Sequence, residues 1–393
     1  NGFSSTTSIV TSLDGGLTPA VTMNDPFPNG LIRPFGKSLG LSTFLGSGVS
    51  FNYPGFHPAT SYQVSAGIQR RFPADFMLEV SYVLNYTADL QVGAGYNFIP
   101  ASQLGQPSSY YLQQVTNPFR GLLPNNASMN GATIPLQNLM YAYPQFTGVS
   151  GSDIPIGMTR YDALQTVVTR RLHRGLTLIA SYTISKCLER LQFLNAQFFN
   201  PTEPSQSALD HRLTPFDLPQ RLTIVGTYEL PVGRGRRFGV HIPKPLNYAV
   251  GNWMLSWSVT QAKGFPIDFP NAAPLAAKSA RLPAEQQSFY KWFDTSLFPK
   301  VAGPPPYTLR NFPTRFPDVR FMGVHNFDIS LNKSFPIYER LKAELRADFI
   351  NLFNHPFLTE MASLDVTNAS FGMLNLRQRN DPRMIVLQFK LRF

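Results

Sequence analysis

Few residues in this chain have both the type and the spacing for chemistry, and what they offer is recognition rather than catalysis. The histidines, His57, His173, His211, His241, His325 and His355, stand singly, without the spacing of a metal-ligand pair. Asp210-His211 has no serine on a nucleophile elbow to complete a triad. Gly233-Arg-Gly-Arg-Arg-Phe-Gly239 imitates a dinucleotide loop, but its last glycine comes one residue late, and it reads as a basic turn. We therefore expect no catalytic residue, no cofactor and no metal, and not an enzyme. The formal charge of +11 is spread along the chain, Arg234–Arg237 being its densest group, so nucleic acid is not expected as a partner. Two patterned sets remain. Lys342, Glu344, Arg346 and Asp348 put charges of alternating sign at every second position, and Ile385, Leu387, Phe389, Leu391 and Phe393 do the same with apolar side chains up to the last residue.

Every-second-position spacing is a strand's signature, because successive side chains point to opposite faces. The same period recurs in segments 62–70, 76–85, 161–171, 176–186, 221–230, 252–262, 326–335, 341–351 and 383–393. In most of these one face is apolar and the other polar; in 161–171 either face could be the apolar one. Chance would place about 8 of the 34 prolines inside these segments, and none is there. A hydrogen-bonded ladder demands this, since proline has no N–H to donate. Segment 341–351 also fits a helical stripe through Leu341, Leu345, Phe349 and Leu352. Charge favours the strand: a helix would stack Lys342 on Arg346 and Glu344 on Asp348, two like-charge pairs.

Composition bounds the setting. The 393 residues carry 34 Pro, 28 Gly and 32 Phe but only 15% charged side chains, a balance suited to many strands joined by irregular loops. A single Cys187 allows no internal disulfide. No apolar run approaches the roughly 18 residues of a membrane helix. Strands of about 9–11 residues, apolar on one face and polar on the other, are instead the unit of an outer-membrane barrel. The connections fit as well: short turns at 71–75, 172–175 and 336–340 and a medium one at 231–251 alternate with long loops at 86–160, 187–220, 263–325 and 352–382. Barrels of this kind have short periplasmic turns and long extracellular loops. The expected fold is thus all-β, an antiparallel up-and-down transmembrane β-barrel, with residues 1–60 as an extracellular loop region and 61–393 as barrel. The start at Asn1-Gly-Phe-Ser reads as the middle of a longer protein.

On this architecture the charged row Lys342, Glu344, Arg346 and Asp348 is expected to face a wet lumen. Tyr82, Tyr182, Tyr228, Trp253 and Trp257 are expected to face lipid as an aromatic girdle. Loop aromatics Tyr110, Tyr111, Tyr141, Tyr143, Tyr290 and Trp292 are the candidates for stacking on a small ligand, with ordinary loop packing as the alternative.

Several stretches resemble the carboxyl-terminal part of Oar-like TonB-dependent outer-membrane receptors of Gram-negative bacteria. They are Ser61–Arg70 with Leu78–Val83, Tyr161–Gln165 with Ala180–Thr183, Asp217–Arg221, Tyr228–Gly233, Gly264–Ile267, Asn326–Lys333, Arg346–Pro356, Asp381–Arg383 and Leu391–Phe393. The resemblance implies a barrel of about 22 strands with a plugged lumen, of which this chain supplies the last nine. It implies energy-coupled uptake of a large or scarce ligand, through a TonB complex that meets an amino-terminal part this chain lacks. It also implies outer-membrane lipid and lipopolysaccharide as surroundings, and barrel-assembly machinery reading the terminal strand, which closes the barrel. A passive porin-like barrel, lacking a plug, and a secreted β-rich adhesin or glycan-binding protein, soluble without detergent, are the alternatives. Changing Phe393 to serine in the full-length protein should lower its level in outer membranes; an unchanged level would contradict the closing role.

Overall fold

The computed structural model describes residues 3–123, 126–198, 210–269, 278–301, 303, 305–310, 312–338 and 341–393. Parts of four expected connections, at 124–125, 199–209, 270–277 with 302, 304 and 311, and 339–340, lie outside the described residues. The strands, in chain order, are β1 (Gly48–Asn52), β2 (Thr60–Phe72), β3 (Phe76–Gly95), β4 (Gln114–Thr116), β5 (Thr133–Pro135), β6 (Gly148–His173), β7 (Leu176–Arg190), β8 (Arg212–Leu213), β9 (Gln220–Glu229), β10 (Trp253–Ala262), β11 (Val324–Tyr338), β12 (Leu341–Ile350) and β13 (Met384–Arg392). The long ones pair in the order β13-β12-β11-β10-β9-β7-β6-β3-β2, antiparallel throughout. Each neighbour in space is the next long strand in sequence, an up-and-down meander. Every segment with two-residue periodicity lies, to within a residue at either end, in one of these strands, and 341–350 is extended, not helical.

Four strands run well past the expected boundaries, and the reason is visible in the ladder. The β3–β6 pairing breaks register between Thr87 and Leu90, Leu90 and Gln91, and Val92 and Ala94. Asp89 and Asp153 there adopt φ of 59° and 58°. Each bulge adds a residue that flips the side-chain alternation, so the period disappears from the sequence while the ladder continues. The two prolines in these long strands sit at such breaks: Pro155 opposite Gln91, and Pro336 beside the shift before Tyr338. In the segment 1–60, expected to be loop, β1 adds a short parallel partner to the outer part of β6. The basic turn after β9 carries a helix, α1 (Lys244–Val250), begun by Pro243 and Pro245 and ended at Gly251.

Register carries two distinct faces across the sheet, since directly opposed residues project to the same side. One row runs Tyr228, Leu255, Leu331, Ala347, Leu387. The neighbouring row, on the other face, runs Thr227, Ser256, Ser330, Asp348, Val386. The ambiguous strand resolves the same way. Leu164 joins Tyr82 and Ile184 on the apolar face, whereas Ala163 lies in line with Val83 and Ser185 on the mostly polar one.

The sheet is open. β13 and β2 are its two edges, and β13 leaves Leu387 78% and Phe389 64% exposed. Bare apolar faces and unpaired edges of this length are not tolerated in water. Burial is concentrated instead in the loops at one end. The largest core joins Ile267, Phe269, Phe293, Phe298, Phe312 and Phe316 to Val366 and Phe371, knitting loop 263–323 to loop 351–383.

Candidate functional site

The long-loop end of the polar face carries the most constructed part of the molecule. Phe269 packs edge-on against Phe293 at 4.9 Å between centroids and against Phe316 at 5.3 Å, and Phe371 meets Phe293 at 5.4 Å. Offset and edge-to-face ring pairs of this kind each add roughly 0.5–1.5 kcal/mol beyond area burial. Below them lies a buried ionic cluster. Glu189, at the end of β7 and in line with Thr159 on the polar face, accepts from Arg212 Nε at 3.2 Å and Arg315 Nη1 at 2.9 Å. Arg315 Nε also meets Asp268 Oδ1 at 2.5 Å. Arg310, 8% exposed, lies over the Phe312 ring at 4.2 Å and donates to the carbonyls of Phe269, Phe312 and Pro313. Burial, with Arg212 close by, brings its pKa down to about 10, so it stays charged at neutral pH. Two loops, 187–220 and 263–323, thus converge through arginine on one glutamate that belongs to the polar face of the sheet.

The motif stretches prove to be the joints of this assembly. Asp217, 1% exposed, accepts the Cys187 N–H at 2.7 Å on Oδ1 and Arg320 Nη2 at 2.6 Å on Oδ2. Arg320 in turn donates to the carbonyls of Asp217 and Gly264 at 2.9 and 3.2 Å. Gly264 must be glycine: a Cβ there would stand 1.9 Å from the Phe321 carbonyl oxygen. Asn351, 2% exposed and at φ 49°, donates to the His355 and Asp381 carbonyls and accepts the His355 N–H at 3.0 Å, turning β12 into its loop. Asp210 accepts the Leu194 N–H at 2.9 Å, capping backbone.

The sequence-derived residues divide between the two faces. Lys342, Glu344, Arg346 and Asp348 share the polar one. Arg346 Nε donates to Asp348 Oδ1 at 2.8 Å, and Glu344 is met by Arg392 at 3.1 Å across the strands. Tyr82, Tyr182, Tyr228, Trp253 and Trp257 share the opposite face with Ile385, Leu387, Phe389 and Leu391. Trp257 lies over Gly226, where an added Cβ would come within 2.4 Å of the indole. At the short-turn end Trp253 donates to the Ala249 carbonyl at 3.1 Å, and Lys333, on the same face, reaches the Ala249 and Gly251 carbonyls at 2.9 and 2.7 Å. The indole and the lysine thus both bend toward the carboxyl-terminal end of α1.

The loop aromatics do not form one platform. Tyr111 is fully buried, stacked on Tyr307 at 3.9 Å with its hydroxyl on the Gln103 carbonyl, and is therefore a packing residue. Trp292 is half-buried against the phenylalanine core, its indole N–H on the Arg320 carbonyl at 2.7 Å. Tyr141 is half-buried, while Tyr110, Tyr143 and Tyr290 are exposed. Sequence reasoning missed Glu189, Arg212, Arg310 and Arg315. Their signal was weak but present: arginines placed inside proline-rich loops of a chain poor in charge.

The chain belongs to the family described as outer membrane beta barrel domain, whose profile matches residues 1–386. It is a β-barrel protein of the outer membrane. No curated protein matches it. Among solved structures it is similar to the outer membrane transporter YddB from Escherichia coli (10% identity, TM-score 0.39, 88% of this chain and 34% of that one). It is also similar to the ferric-catecholate import receptor Fiu from E. coli K12 (10% identity, TM-score 0.39, 90% and 31%). A third is the ferripyoverdine receptor of the outer membrane of Pseudomonas aeruginosa (9% identity, TM-score 0.36, 86% and 27%). The chain spans about a third of the length of these structures.

Proposed function

We propose that this chain is the carboxyl-terminal barrel portion of an Oar-like, TonB-dependent receptor that takes up a large or scarce ligand by energy-coupled transport. The observation that carries the reading is the loop assembly. Two long loops are locked by the buried Arg212 and Arg315 onto Glu189, on the polar face. Loops fixed over the wet side of a barrel suit a receptor that closes on a ligand better than a pore held open for diffusion. The motif resemblance points the same way, its members Asp217, Gly264 and Asn351 being the joints of that assembly.

On this reading Lys342, Glu344, Arg346 and Asp348 line the lumen, and the five girdle aromatics meet lipid. Tyr110, Tyr143 and Tyr290 offer ring faces to the ligand. Residues 1–60 lie on the extracellular side. β13, delivered by barrel-assembly machinery, closes onto a strand that this chain does not contain, since an unpaired edge in hydrocarbon leaves several kcal/mol per group unsatisfied.

The test uses the full-length protein in a planar bilayer with potassium chloride as the probe, together with pull-down by the periplasmic domain of TonB. A plugged receptor should give no steady conductance and should bind TonB. Stepwise open channels without TonB binding would establish the porin reading instead.

A further inference from the structure

Spacing along the chain hides one pair of histidines that the fold brings together. His325 stands at the long-loop end of β11, and His355 lies in the loop that leaves β12. Their ring centroids are 6.0 Å apart, with the planes tilted by 50°. Both residues are exposed, and neither ring nitrogen meets a hydrogen-bond partner or an acid among the described residues. His173, by contrast, is held by Asp75 at 3.0 Å. Both backbones are nevertheless fixed. His325 belongs to the β10–β11 ladder, opposite Gln261. The His355 N–H donates to Asn351 Oδ1 at 3.0 Å, its carbonyl accepts from Asn351 at 3.2 Å and Asn380 at 2.9 Å, and Pro356 follows it. One step further in along both segments, Phe327 and Phe353 pack edge-to-face at 5.0 Å, and the Leu352 N–H donates to the Phe327 carbonyl at 2.8 Å. Two rings set on clamped backbone, with their nitrogens free, are the preorganised part of a metal site.

We propose that His325 and His355 together bind a late first-row divalent metal ion, copper(II) in preference to nickel(II) or zinc(II). Two imidazoles on one ion, each nitrogen about 2.0–2.1 Å from it, have ring centroids roughly 5–6.5 Å apart. The observed separation falls in that range. Imidazole nitrogen suits all three ions, and at a site of such donors copper(II) binds most tightly. Among the described residues no third His, Cys, Asp or Glu joins the pair. The remaining positions on the ion therefore belong to water, or to a donor atom of a molecule that binds there. The site does not depend on the transport reading.

The experiment titrates cupric chloride into full-length protein, free of any histidine tag, in detergent micelles, and reads the bound copper by electron paramagnetic resonance. Wild type should show a copper whose hyperfine pattern reports two imidazole nitrogens. His325→Ala and His355→Ala should each reduce that pattern to one nitrogen and weaken the affinity at least about tenfold. His241→Gln, which removes an exposed histidine on the basic turn, should change neither. Zinc chloride and nickel chloride should displace the copper only in excess; displacement at equal concentration would overturn the assignment to copper. A wild-type spectrum without nitrogen coupling, variants that match wild type, or an equal loss in His241→Gln would each overturn the site. Should His355→Ala fail to fold, His325→Ala, at an exposed strand position, carries the same expectation. A protein that does not bind TonB but keeps the two-nitrogen copper signal would lose the transport reading and retain the site.

Discussion

Replacing Asp217 with alanine should detach the loop assembly from the sheet and destabilise the folded protein by about 3–5 kcal/mol, the cost of stranding one partner of a buried ion pair. The carboxylate is 1% exposed and does two jobs, holding the Cys187 N–H and the Arg320 guanidinium. Without it a buried N–H loses its acceptor, and Arg320 keeps only carbonyl partners. The measurement is urea unfolding of the full-length protein in lipid vesicles, with protease sensitivity of the loops on intact cells as the local readout. Asp217→Asn keeps an acceptor for Cys187 and should fall between. Asp217→Ala combined with Arg320→Met should be milder than Asp217→Ala alone, because the uncompensated cation is gone. A single variant as stable and protease-resistant as wild type would mean that the joint holds nothing.

How far the sequence disclosed this fold depended on how sharply the two faces of each strand differ. In the middle of each strand one face is apolar and one polar, so Ile224 and Thr223 announce their sides without reference to any neighbour. Past Asp89 and Asp153 that contrast ends. The ladder continues through bulges that reset the alternation, and no period marks the outer parts of β3 and β6. The loop assembly was harder still. The contact between Glu189 and Arg315 joins residues 126 apart in sequence, and nothing local to either predicts the other. Tyr111 shows the converse, an aromatic whose composition suits a ligand platform but which the fold spends on packing against Tyr307. What the sequence held of the site was its joints: Asp217, Gly264 and Asn351 lie within stretches that carry the family resemblance, and each proves to hold backbone together.

Lysine at Ile224 and lysine at Thr223 should give opposite results, although the two positions are adjacent. Ile224 lies mid-strand in β9 between Ala180 and Val259, whereas Thr223 lies between Ser181 and Thr260. If the first row meets hydrocarbon, Ile224→Lys places an ammonium near the bilayer midplane, at a cost of about 2–4 kcal/mol. If the second row meets water, Thr223→Lys changes little, within about 0.5 kcal/mol, as for an ordinary solvated position. Urea unfolding of the full-length protein in vesicles measures both, and the heat-modifiable shift on gels reports the folded fraction. β9 is an interior strand, so neither change disturbs an edge or a closing contact, and both substitutions carry the same charge and propensity. The difference between them therefore isolates which side of the sheet faces lipid. Equal effects would leave the apolar row without a bilayer to face, and with it the assignment of Tyr82, Tyr182, Tyr228, Trp253 and Trp257 to the lipid boundary.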